Sequence, residues 1–277
     1  MFPLSVAFVL ATVHTPIALA EEPAAPPPTS ARVVSVYDGD TFTLETGDRV
    51  RLRWVNTPEL KPQLEAYGIE ARDAARNLIL NQEVTLEYGQ SIRDGYGRLI
   101  AGASINGVDL SAHLASLGFA HVFVIPPDDT DLSTLMSAQE KARTAGRGIW
   151  SDERYQGVLH ITSFHANAPG DDRDNVNGEY LRLCNTSADS LDLQGFRISD
   201  ASGRSWVFPS LILPAGHTVK VHSGVGDNQL DANSQLSIFL GNANPIWNNG
   251  EDRAAIHDPF GRLVDSREHR VKTKTKN

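Results

Sequence analysis

The hydrophobic periodicity of this 277-residue chain changes at Trp150, and that change sets what the chain can fold into. Before it, Val33, Val34 and Val36, then Phe42 and Leu44, then Val50, Leu52 and Trp54, read as three strands joined by tight turns. Glu65 to Leu80 places Ile69, Ala71, Ala75, Leu78 and Ile79 at helical spacing with no proline inside. Strands return at Val84 to Tyr88 and Leu99 to Ile105, and helical stretches near Val108 to Leu117 and Leu132 to Ala145 precede Gly148-Ile149-Trp150. These parts predict an α+β unit over 31–153, a five-stranded barrel with helices packed on it, which is the OB-fold plan. After Trp150 no long helical pattern intervenes. Short runs such as Leu159 to Phe164, Tyr180 to Cys184, Thr218 to His222 and Leu236 to Leu240 predict an all-β sandwich over 156–268.

The N-terminus carries a mostly apolar run from Leu4 to Val13 and small residues at Ala18-Leu19-Ala20, the pattern a signal peptidase reads. A signal peptide over 1–20 and a secreted or periplasmic location are therefore expected, although no Lys or Arg precedes the run. His14 and Pro16 interrupt it short of the roughly 20 apolar residues a spanning helix needs, so no membrane span is expected after signal removal. Residues 21–30, with Pro23, Pro26, Pro27 and Pro28, read as an extended linker. The single cysteine, Cys184, excludes an internal disulfide framework and a cysteine-based zinc site. Any metal should be held by oxygen.

Four pieces stand in order along the first unit: Asp38-Gly39-Asp40-Thr41, Arg51, Asn56-Thr57-Pro58-Glu59 and Asp94-Gly95-Tyr96-Gly97-Arg98. Alone, each is ordinary turn chemistry or a solvated arginine. Together they supply what phosphodiester cleavage requires: a carboxylate for a cation, a carboxylate to prepare water, and donors for the charge of a pentacovalent transition state. Through these pieces, and through Gly146-Arg147-Gly148-Ile149-Trp150, the segment from about Arg32 to Trp150 resembles the staphylococcal-nuclease-like (thermonuclease) family. The resemblance implies a calcium-dependent nuclease that acts broadly on DNA and RNA and leaves 3′-phosphorylated products. On that reading Asp40, Asn56 and Thr57 hold Ca²⁺ through oxygen, while Asp38 orients the turn or a bound water. Asn56 departs from the family, where aspartate is common; the amide keeps an oxygen and removes a charge, which weakens the hold on Ca²⁺. Glu59 aligns or deprotonates the attacking water, and Arg51 and Arg98 clamp the phosphate in a way lysine cannot reproduce. Tyr96, His121 and Phe123 are expected at the nucleotide; His121 and Phe123 stand where the family tends to place tyrosines, so a stacking surface replaces hydroxyl contacts.

The charge balance runs the other way. With 25 Lys+Arg against 34 Asp+Glu the formal net charge is −9, whereas proteins that hold nucleic acid by electrostatics alone are basic. Substrate binding is therefore expected to be local, through the cation and the two arginines. In the second unit, Tyr180-Leu181-Arg182-Leu183-Cys184-Asn185, Leu193-Gln194-Gly195-Phe196, Phe208-Pro209, Leu213-Pro214-Ala215-Gly216 and Trp247-Asn248-Asn249-Gly250 together resemble the lamin-tail domain, which implies an immunoglobulin-like sandwich with an accessory role in surface or polymer attachment and no catalysis. Asp171, Asp172 and Asp174 read as a solvated loop, and His160, His165, His217 and His222 fall into no metal motif. Arg267, Arg270, Lys272, Lys274 and Lys276 read as a solvated basic terminus, with the tail proper at 269–277. The rival readings are a non-catalytic nucleic-acid-binding OB-fold, which has no need of Glu59, and a surface-attachment protein led by its sandwich.

Overall fold

A computed structural model describes residues 26–61, 63–126, 131–230 and 235–271. The expected signal peptide and Lys272, Lys274 and Lys276 lie outside the described residues. In the first unit β1 (Ser30–Val36) turns through Asp38-Gly39-Asp40 into β2 (Thr41–Leu44), followed by β3 (Arg49–Leu52), a short β4 (Val55–Asn56) and the helix α1 (Gly68–Ile79). Then come β5 (Glu83–Arg93), β6 (Leu99–Ile105), β7 (Val108–Asp109), α2 (Leu110–Leu117), β8 (His121–Val122) and α3 (Ser133–Thr144). The sheet runs β3-β2-β1-β5-β6, and a parallel pairing of β3 with β6, Val50 opposite Leu99, closes it into a five-stranded barrel. The inward residues are the apolar half of each period-2 run: Val33, Phe42, Leu44, Val50, Leu52 and Leu99 are all essentially without solvent contact. Each such side chain contributes roughly 1.5–3 kcal/mol on burial.

The helices begin later than periodicity alone suggests. Tyr67 adopts a left-handed conformation with φ 65°, so α1 starts at Gly68 rather than Glu65. Asp109 is still extended and its carboxylate accepts the Ala112 N–H at 2.7 Å, which caps α2 at Leu110. Gly39, in the β1–β2 turn, is required by close approach: a Cβ there would stand 2.6 Å from Thr57 Cγ2 and 2.9 Å from the Ala71 Cβ of α1.

The second unit is a sandwich. One sheet holds Leu159–His165, Tyr180–Asn185, Thr218–His222, Leu236–Phe239 and Gln229–Leu230; the other holds Ser205–Val207, Arg197–Ser199, Glu251–His257 and Leu263–Arg270. Their facing sides supply the core, in which Ile161, Leu181, Leu183, Val219 and Val221 meet Ile198, Phe208, Trp247 and Ile256. The solvated terminus expected from Arg267 onward is corrected. Leu263–Arg270 is a full strand paired along Glu251–His257, with Ala254 opposite Arg267, because that register satisfies its amides and buries most of the Arg267 side chain.

The two units share a continuous junction. Val124 donates its N–H to Gly216 O at 2.8 Å and accepts from the Thr218 N–H at 3.1 Å and the Thr218 hydroxyl at 2.9 Å. From α3, Gln139 Nε2 and Arg143 Nη1 both donate to Thr186 O, at 3.1 and 2.8 Å. The buried thiol of Cys184 sits 3.3 Å from Val122 O. Gly216 closes the contact with φ +73° and leaves no room for a Cβ, which would fall 2.6 Å from Val122 Cγ1. Gly216→Ala is therefore expected to cost about 1–3 kcal/mol and to lower Tm in a thermal unfolding scan. An unchanged Tm would show that the junction yields locally.

Candidate active site

The site is assembled by one carboxylate. In the β1–β2 turn, Asp38 Oδ1 accepts the Asp40 N–H at 3.1 Å, and the Leu52 N–H donates to Asp40 O at 2.7 Å, so the turn is held against β3. The Asp40 side chain then reaches across to the segment after β4. Its Oδ2 accepts the Thr57 N–H at 2.9 Å and the Thr57 hydroxyl at 3.1 Å, while Oδ1 accepts the Thr41 hydroxyl at 3.2 Å and lies 3.3 Å from Arg51 Nε.

Arg51, on β3, is held by its own chain. Nη1 donates to Val55 O at 2.9 Å and also to Leu52 O, and Nη2 donates to Asn56 Oδ1 at 3.0 Å. A guanidinium has five N–H groups, so Nη2 retains donor capacity for an incoming anion. The Phe123 ring centroid lies 5.8 Å from Arg51 Cζ, against the guanidinium. Asp38, Asp40, Arg51, Asn56 and Thr57 are thus joined into one cluster, with Glu59 near enough to act on Asp38 through charge. Arg98 and Tyr96 do not join it directly. Arg98 stands just before β6, the neighbour of β3, and spends its Nε on Asp94 Oδ2 at 2.7 Å, in a turn where Asp94 Oδ1 also accepts the Tyr96 and Arg98 N–H groups at 2.9 and 3.0 Å. Tyr96 is 80% exposed at the tip, with its ring 5.6 Å from Arg98 Cζ.

His121 is corrected. It is wholly buried, in β8 opposite Asn56, with its ring 5.5 Å from that of His160 and 6.1 Å from that of Tyr155, so it lines the junction and does not reach substrate. Burial, with His160 as a second cause, pulls its imidazole down to about 3, so it is neutral. The alternation does bring the His121 and Phe123 rings together, edge to face at 6.2 Å, but the packing of His160 and Tyr155 seals His121 from solvent.

Burial, followed by repulsion from Asp40 and Glu59, pushes the Asp38 carboxyl up to about 8. Burial, then Asp40 and Glu65, pushes Glu59 up to about 7 against the opposing pull of Arg51 and Arg267. Glu65 behaves oppositely. Burial alone would raise it, but Arg267 and Arg154, with the Glu59 N–H, outweigh that and hold it below the ordinary glutamate range. Neither Glu65 nor Arg267 belongs to any of the four pieces; they meet from opposite ends of the chain, and no local pattern announces such a pair.

Asp40, beside the amide oxygen of Asn56 and the main-chain carbonyl of Thr57, offers the ligand type a hard cation takes; here Asn56 Oδ1 accepts from Arg51 and Thr57 O accepts from Asn56 Nδ2 at 3.3 Å. Among the described residues no three His, Cys, Asp or Glu side chains gather as a metal cluster, so such a cation would rest on Asp40 together with the neutral oxygens of Asn56 and Thr57. The raised carboxyls also affect folding. Unfolded, Asp38 and Glu59 ionise near 3.8 and 4.5; folded, near 8 and 7, so on this account the folded state binds more protons and stability falls as pH rises toward 8. His121 works against this only below its unfolded value of 6.5. With chelator, urea unfolding midpoints are therefore expected to be lower at about pH 8.5 than at about pH 6.5, and a divalent cation should shrink the difference. Equal midpoints with chelator would refute the raised proton affinity of these buried carboxyls.

Comparison with known proteins agrees with the fold of both units. The family model described as "Staphylococcal nuclease homologue" matches residues 49–152, and the one described as "Lamin Tail Domain" matches 153–270. The first match begins at β3, so Asp38 and Asp40 precede it. The chain is similar to the thermonuclease of Staphylococcus intermedius, at 34% identity over 124 residues, covering 43% of this chain and 74% of that protein. It is also similar to the thermonuclease of Staphylococcus hyicus, at 32% over 127 residues, covering 44% and 75%. Endonuclease YncB of Bacillus subtilis (strain 168) is 30% identical over 126 residues, covering 43% of this chain and 60% of that one.

Proposed function

Because this chain belongs to the staphylococcal nuclease family, with a lamin tail domain behind its nuclease domain, we propose that it is an exported, Ca²⁺-dependent enzyme that hydrolyses DNA and RNA to 3′-phosphorylated products. The observation that carries the reading is the Asp40–Arg51 pair with Glu59 close by, a cationic fork beside a carboxylate whose proton affinity is raised by burial and by Asp40.

Glu59, at about 7, is poised to take a proton from water near neutral pH, where a group matched to the ambient pH is most effective. Arg51 keeps a fixed orientation through Val55 O and Asn56 Oδ1, so its remaining N–H meets a phosphate oxygen with little reorganisation. Arg98 would contribute from the start of β6 by sharing its guanidinium between Asp94 and the phosphate. Ca²⁺, when held by Asp40, Asn56 Oδ1 and Thr57 O, supplies charge neutralisation for the non-bridging oxygens. Departure of the 5′ oxygen after attack on phosphorus leaves the phosphate on the 3′ side. Export rests on the apolar run and small residues before position 21; among the described residues no helix is long and apolar enough to cross a membrane.

Purified mature chain should cut single-stranded DNA with Ca²⁺ and fail with chelator, and phosphatase should release phosphate from the new 3′ ends. Glu59→Gln, Arg51→Lys and Arg98→Lys should fold and lose on the order of 10²- to 10³-fold in kcat. Cutting at the normal rate by either arginine variant removes that arginine from the mechanism, and no cutting by a folded, metal-supplied wild type overturns the reading.

A further inference from the structure

Glu59 lies near the head of the segment between β4 and α1, whose described residues form no strand or helix. The loop is tied to itself twice: the Glu65 N–H donates to Glu59 O at 2.9 Å, and Glu65 Oε2 accepts the Glu59 N–H at 2.9 Å. The second tie depends on where the Glu65 carboxylate points, and that is set from beyond the nuclease domain. Glu65 Oε1 lies 3.0 Å from Arg267 Nη2, on the last strand of the sandwich, and 3.3 Å from Arg154 Nη1, in the connection between the units. Arg267 is itself fixed, its Nη1 donating to Ile161 O at 3.0 Å and Thr162 O at 3.1 Å. Arg154 is steadied by Asp265, 3.4 Å from its Nε; the other Asp265 oxygen accepts the Ile161 N–H at 2.7 Å. The Glu65 side chain is 10% exposed and that of Arg267 19%, so the pair is largely shielded from water, where charge-assisted bonds orient strongly.

We propose that Arg267 is a positioning residue for the nuclease reaction: by gripping Glu65 it fixes the main chain of Glu59, which makes the lamin tail domain a working part of the active site. The proposal rests on Glu59 being the residue that handles the attacking water. A displacement of about 1 Å at such a group costs up to about 10²-fold in rate, so a tether of two bonds is enough to matter.

The test compares full-length wild type with Arg267→Gln and Arg267→Lys. Both variants lose the Nη1 bonds to the Ile161 and Thr162 carbonyls and share that loss of stability; the lysine alone keeps a cation beside Glu65. Expected for Arg267→Gln is a fall in kcat of about 10- to 100-fold on single-stranded DNA at saturating Ca²⁺, with KM within about twofold. Hydrogen exchange over residues 58–66 should quicken by about tenfold in the same variant. Arg267→Lys should recover most of both. Equal losses in the two variants, or unchanged exchange over 58–66 in Arg267→Gln, would overturn the proposal. If wild type cuts nothing, the catalytic reading of Glu59 fails by itself, and the exchange comparison still decides whether Arg267 holds the loop.

Discussion

The Asp40 carboxylate is where three separated pieces of chain meet. Its two oxygens bind the start of β2, the arginine of β3 and the backbone after β4, so the corner exists only when the barrel's first three strands are in register. That register is supplied by the alternation of Phe42, Leu44, Val50 and Leu52 into the core, since a slip of one residue would turn Arg51 inward. The apolar pattern of the strands and the polar geometry of the site are thus two consequences of one alignment. The crowding of Asp38 and Glu59 about this carboxylate stores the repulsion that a cation relieves.

The barrel was readable from the sequence because its signals are local: period-2 runs, an Asp-Gly turn and helical spacing over Ala71, Ala75 and Ile79. The same holds for the core of the site, since Asp40, Arg51, Asn56 and Glu59 follow one another closely along the chain and are joined by short turns. His121 could not be read the same way. Its period-2 relation to Phe123 suggests a common face, and only the pairing with Asn56 and the rings of Tyr155 and His160 show that it is sealed. Arg267 fails for a related reason. A basic residue near a basic terminus looks solvated, and nothing nearby in sequence indicates that its carboxylate partner is Glu65.

The junction makes the two units depend on each other. Main-chain bonds through Val124, side-chain bonds from Gln139 and Arg143, and the close seat of Gly216 on Val122 join the barrel to the sandwich along several elements. Linked domains usually meet through polar, mobile contacts. Here the strand Thr218–His222 begins by bonding to Val124 of the nuclease unit, so the relative orientation of the two is set by hydrogen bonds that neither can satisfy alone.

One buried atom at that junction carries a chemical consequence. The Cys184 sulfur is enclosed beneath the Val122 and Gly216 carbonyls, and burial raises its thiol well above the ordinary range. Nucleophilic attack on a disulfide or a peroxide requires the thiolate and a path to it, and Cys184 offers neither. Thiol oxidants and mixed-disulfide partners therefore meet no reactive thiol on the folded protein, whose single cysteine neither scrambles nor crosslinks in reducing or in oxidising surroundings.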